Sequence, residues 1–137
     1  MPARIYSLID PTRLLHIGSR FGEITEQRLD IVPEAEGLQV ACYRMPKGKK
    51  FRPHLHVERP REVPRTQECW IVLNGTVRVE YYDVDGSLLT SLWLRDGDCS
   101  ITLAGGHSYQ CLEADSTVYE VKLGPFVGTE DDKRFIE

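Results

Sequence analysis

The chain has 137 residues, 41% of them hydrophobic, which fits one compact domain able to bury its own core. Its 17 basic and 21 acidic residues are interspersed and leave a formal net charge of −4, so the sequence offers no field to hold nucleic acid or an anionic membrane surface. Apolar runs such as Leu92 to Leu94 and Cys69 to Leu73 fall far short of the roughly 20 residues that a membrane-spanning helix needs.

At the N-terminus, Arg4, Asp10 and Arg13 interrupt short apolar stretches. The segment lacks the continuous apolar centre and small-residue cleavage site of a secretory signal, so a cytoplasmic protein is expected. Arg13 to Ile17 reads as a strand, Ile24 to Ile31 as a short helix or strand, and Pro33 to Gly37 as a turn. From Leu38 onward the pattern is one of short strands between turns. Val77, Val79 and Tyr81 alternate with Arg78, Glu80 and Tyr82, the period of a half-buried strand. Asp85-Gly86 predicts a tight type I′ hairpin, and Leu88 to Leu94 is the returning strand. The turn cluster Arg95 to Asp98 precedes a strand over Cys99 to Leu103. Ala104-Gly105-Gly106 forms a further turn before His107 to Leu112, and Thr117 to Lys122 alternates as the last strand. Spacing of this kind predicts an all-β sandwich or barrel. The Arg, Glu and Pro-rich stretch Val57 to Arg65 reads as a loop, and Gly124 to Glu137 as a C-terminal arm packed on the surface.

Four cysteines, Cys42, Cys69, Cys99 and Cys111, stand singly without the C-x-x-C spacing of zinc or redox motifs, and are expected as buried reduced thiols. The histidines carry more chemistry. In His54-Leu55-His56, Pro53 favours extended backbone, and on a strand residues two apart share a face, so both imidazoles would point the same way. Glu68 heads the apolar run Cys69 to Leu73, where an unsolvated carboxylate needs a cation or hydrogen-bond donors. His107 follows a Gly-Gly turn and begins a strand on which His107, Tyr109 and Cys111 share a face expected to look inward. Three imidazoles and one carboxylate suit a divalent transition metal (Fe, Mn, Ni, Zn or Cu) and are too nitrogen-rich for Ca or Mg. His16, between Leu15 and Ile17, is expected as a surface or packing residue.

The order of these residues resembles the two-motif pattern of the cupin superfamily. Gly48, five residues, His54-Leu55-His56, Glu68, six residues and Gly75 follow the first motif, with eleven residues rather than three or four before the glutamate. Glu58 and Glu62 in that insertion are rival carboxylates; the six-residue distance to Gly75 favours Glu68. Gly97, five residues, Leu103-Ala104-Gly105, one residue and His107 follow the second motif, without its proline or its asparagine and one residue short. The resemblance covers Leu38 to Leu123. It implies a double-stranded β-helix or jelly-roll barrel as a single domain over residues 1–137, with its core at about 38–123, an N-terminal extension over 1–37 and a C-terminal arm over 124–137. It further implies one metal ion on His54, His56, Glu68 and His107, and a homodimer as the expected assembly.

Four protein ligands leave positions open for water, oxygen or a chelating substrate. The expected activity is a metal-dependent enzyme acting on a small organic molecule, by dioxygenation or by sugar isomerisation or epimerisation. A non-catalytic module that binds a small ligand or the metal is the alternative. Tyr109 is the candidate for proton transfer. Trp70, Tyr109 and Cys111 in phase with the ligands, and Arg61 and Arg65 on the loop, are candidates for substrate binding.

Overall fold

The computed structural model describes residues 1–137 as an all-β chain with three antiparallel sheets. Its strands are β1 (Ala3–Tyr6), β2 (Leu14–Ser19), β3 (Arg28–Asp30), β4 (Ala41–Tyr43), β5 (Glu68–Asn74), β6 (Val77–Tyr82), β7 (Leu88–Leu94), β8 (Cys99–Thr102), β9 (Gly106–Cys111) and β10 (Thr117–Lys122). The largest sheet runs β1-β2-β8-β5-β10, a second runs β7-β6-β9, and β3 pairs with β4. The stretch expected as helix or strand at 24–31 contains only β3, after a 3-10 turn at Phe21–Glu23. Of the C-terminal arm, Thr129–Asp132 is one helical turn, and Ile136 lies against Gly86 and Gly106. No helix is long and apolar enough to cross a membrane.

The period-2 pattern dictates how the layers pack. On β6, Val77, Val79 and Tyr81 are buried while Arg78, Glu80 and Tyr82 are only partly covered. These three pack with Val72 and Leu94 in one core between the five-stranded and three-stranded sheets. The other face of β5 and β8 contributes Cys69, Cys99 and Ile101 to a second core, closed by Ile31, Val32 and Leu38. Strand β8 is buried along its whole length because both of its faces are covered. Cys69 and Cys99 are buried as expected, and Cys42 is partly covered; Cys111 is exposed.

Two glycines decide turns. The hairpin after β6 is present, but its geometry differs from the expected one. Gly86 N–H donates to Asp83 C=O and Asp83 N–H to Ser87 C=O, with positive φ at Gly86 and not at Asp85. That is a type I turn followed by a glycine bulge, which supplies the same strand twist with one left-handed residue instead of two. Between β5 and β6, Gly75 has φ +103, and a Cβ there would meet Ser116 Oγ at 2.2 Å and its Cα at 2.8 Å. Ser116 Oγ in turn accepts from Thr76 N–H. Gly75→Ala is therefore expected to cost about 2–3 kcal/mol of stability, through backbone strain and displacement of Ser116. A urea midpoint indistinguishable from that of the parent would contradict this.

Candidate functional site

Register builds the site. Across the five-stranded sheet, His16, Thr102, Glu68 and Lys122 lie in one row on β2, β8, β5 and β10. The adjacent row on the same face holds Gly18, Ser100, Trp70 and Glu120. Opposite them, β6 and β9 place Tyr81 beside His107, with Tyr109 two residues further along β9. His107 from one sheet thus descends onto Glu68 and Thr102 from the other. Its Nε2 lies 3.2 Å from Glu68 Oε1, with side-chain exposures of 22% and 12%. The same carboxylate oxygen accepts from Trp70 Nε1 at 2.9 Å.

Hydrogen bonding determines which nitrogen carries which proton. His16 Nε2 is 3.0 Å from the Tyr82 carbonyl, which can only accept, so Nε2 carries the hydrogen. Burial, opposed in part by that bond, lowers the His16 pKa to about 4, so the ring is neutral near pH 7 and Nδ1 is a bare acceptor. The Thr102 hydroxyl must then donate to His16 Nδ1 at 3.0 Å. Its oxygen is left to accept from His107 Nδ1–H at 2.7 Å. By elimination His107 Nε2 is the atom presented to Glu68. A bare imidazole nitrogen and an ionised carboxylate repel at that distance. The pair therefore holds a positive charge between its atoms, either a proton on Nε2 or a cation. Burial pushes the Glu68 carboxyl upward, but the hydrogen bond from His107, the charge on His107, the Trp70 N–H and Lys122 outweigh it and bring the group below its ordinary value.

The remaining walls are aromatic and hydrogen-bonded. Trp70 and Tyr109 stack in parallel with ring centroids 3.9 Å apart. Tyr109 donates its hydroxyl to Ser100 Oγ at 3.0 Å, and Ser100 Oγ also meets Tyr81 OH at 2.6 Å. Burial raises the Tyr109 hydroxyl well above the usual phenol value, so it stays protonated and acts as a fixed donor.

The other two histidines lie elsewhere. His54 and His56 have ring centroids 5.1 Å apart, but they sit in residues 44–66, which form no strand and are exposed without a break from 43 to 62. The expected strand is absent because nothing pairs with this segment; extended backbone becomes a strand only on a ladder. No three histidine, cysteine or acidic side chains converge. By donor chemistry the four residues suit a transition metal. By position they fall into two separate pairs, Glu68 with His107 and His54 with His56. Glu58 and Glu62, the rival carboxylates, are exposed on the same arm, whereas Glu68 is the one at His107.

Cys111, expected to look inward, is exposed, and its Sγ lies 2.9 Å from the Glu113 carbonyl at the end of the edge strand β9. Arg61 and Arg65 line an open cleft of about 1170 Å³ that also contains Glu36, Glu62, Asp131 and Asp132. Its charges are mixed and it does not include Glu68 or His107, so these arginines are not brought to the pair. His16 is the member of this cluster that its sequence neighbours concealed: only the pairing of β2 with β8 brings it to Thr102. Comparison with family models, curated proteins and solved structures found no match, so a functional reading of this chain rests on its own residues and their geometry.

Proposed function

We propose that this chain is a metal-binding protein of cupin type, with a jelly-roll arrangement of its strands, which uses one divalent transition metal on a small organic substrate. The observation that carries this reading is the Glu68–His107 pair, two residues from facing sheets whose only unassigned site lies between an imidazole nitrogen and a carboxylate oxygen. The paired rings of His54 and His56 supply the nitrogen donors that such a half-site lacks. A bound metal would contribute Lewis acidity and open coordination positions for oxygen or a chelating substrate. The chain's own residues hold the site in order: Thr102 fixes the tautomer of His107, Trp70 orients the Glu68 carboxylate, and Ser100 anchors the Tyr109 hydroxyl. Dioxygenation and sugar isomerisation are the reaction classes this arrangement suits.

A second reading draws on the same hydrogen-bond chain. A proton shared between Glu68 and His107, with His16 and Thr102 behind it, makes an acid–base pair that needs no ion. A non-catalytic module binding a ligand or the metal is the reading from outside enzymology. Titration of chelator-treated, untagged protein with Co(II) separates the metal site from the metal-free acid–base pair. Binding is expected near one ion per chain, with at least about 100-fold weaker affinity in Glu68→Gln and His107→Ala, and about 10-fold weaker in Thr102→Val, which frees the His107 tautomer. Affinity unchanged in all three variants would refute the metal site. Turnover surviving complete metal removal would favour the acid–base reading.

A further inference from the structure

Resting on that reading of the site, we propose that residues 51–57 of one copy add as a strand to the free edge of β9 in a second copy. His54 and His56 of each chain then complete the Glu68–His107 half-site of its partner. Four observations lead there. First, Phe51, Pro53, Leu55 and Val57 alternate with Arg52, His54 and His56, so a strand here has one apolar face and one histidine face. In the single chain Phe51 is 50% exposed, Leu55 95% and Val57 84%, an apolar row with nothing to cover it. Second, β9 is hydrogen-bonded only to β6 and so presents an unpaired row of backbone groups beside His107. Strand addition satisfies that row, and Pro53 is tolerated because the added strand becomes the new edge.

Third, charge separates the arm from the body. Residues 44–65 carry eight of the 17 basic residues and only two of the 21 acidic ones, a net of +6 against −10 for the rest of the chain. Glu113 and Asp115 follow β9 directly, so the end of the edge the arm would meet is acidic, whereas Glu120 on β10 is already paired with Lys122. Fourth, contacts at the arm's roots point it outward from its own body. Phe51 packs edge-on against Tyr43 with centroids 5.6 Å apart, Lys49 lies over the Phe51 ring, and Val63 is seated on Gly37. Exchange with a second copy preserves these root contacts and turns the histidine face toward the partner's inward-facing side of β9, and by symmetry it forms two equivalent sites per dimer.

The test joins oligomeric state to complementation. Light scattering is expected to show a dimer for the full chain and a monomer when residues 52–62 are replaced by a short Gly-Ser linker, with far-UV circular dichroism retained because the arm touches no core. Raised salt is expected to weaken the dimer. His54→Ala/His56→Ala and Glu68→Ala/His107→Ala, each defective in Co(II) binding alone, are then co-expressed. Random pairing makes half the dimers mixed, each with one intact site, so Co(II) binding should recover to about a quarter of the parent stoichiometry. A monomeric parent, a dimer that persists without the arm, or full Co(II) binding by the parent with no recovery in the mixture would each overturn the exchange. A parent that binds no Co(II) yet loses its dimer with the arm would refute the metal reading and leave the exchange supported.

Discussion

Replacing Tyr81 with alanine is expected to lower the unfolding free energy by about 4 kcal/mol, the range found for emptying a large aromatic from a core. Tyr81 is fully buried at the centre of β6, in the core shared with Val72, Val79 and Leu94. Its ring stacks on His16 at 4.6 Å, and its hydroxyl meets Ser100 Oγ at 2.6 Å. Truncation leaves a cavity between the two sheets and removes the ring against which His16 is held. Tyr81→Phe keeps the ring and loses one hydrogen bond, while Ser100 retains Tyr109 as a partner, so about 1 kcal/mol is expected there. Urea denaturation of the two variants against the parent checks both values. A loss below about 1 kcal/mol in the alanine variant would mean that the sheets do not share this core.

Acidification from pH 6.5 to pH 4 is expected to cost about 3 kcal/mol of stability through His16 alone. Burial holds the folded pKa at about 4, below the 6.5 of the unfolded chain. As pH falls through this window the unfolded state binds the proton first, so stability is present above pH 6.5 and is lost downward through pH 4. Glu68 and Asp83 are held below their ordinary values and act in the same direction, but in the carboxylate range. For Asp83, burial pushes upward and is outweighed by hydrogen bonds from Ser7, Leu8 and Val84. The His16 contribution is isolated by comparison with His16→Gln, whose stability should vary less between pH 6.5 and pH 4. Parallel pH profiles for the two proteins would show that His16 is not buried as a neutral ring.

Much of this architecture is legible along the chain because strands announce themselves locally. The alternation of Val77 to Tyr82 placed β6 and its buried face, and the turn residues bounded β7 to β10. Turn type was less legible. Asp85-Gly86 marks a hairpin, yet the choice between a type I′ turn and a glycine bulge depends on how β7 meets β6, with a register shift at Tyr81/Tyr82. The two halves of the site separate in the same way. Glu68 and His107 are recognisable from their places at strand starts. Cys111 was placed inward by the same alternation, but the edge strand that carries it has no neighbour to cover that end.

By itself the sequence determined the all-β class, the main strands after residue 67 and the residue types able to hold a metal, because these follow from period, turn chemistry and donor identity. Tertiary structure decided what pairing alone can decide. It set His16 behind Thr102 and His107, left Glu68 facing a single imidazole nitrogen, and held His54 and His56 out on an arm with no strand beside it. The reason is physical: a side chain's face is written in its neighbours, but its partner is set by a ladder of backbone hydrogen bonds to strands far away in the chain.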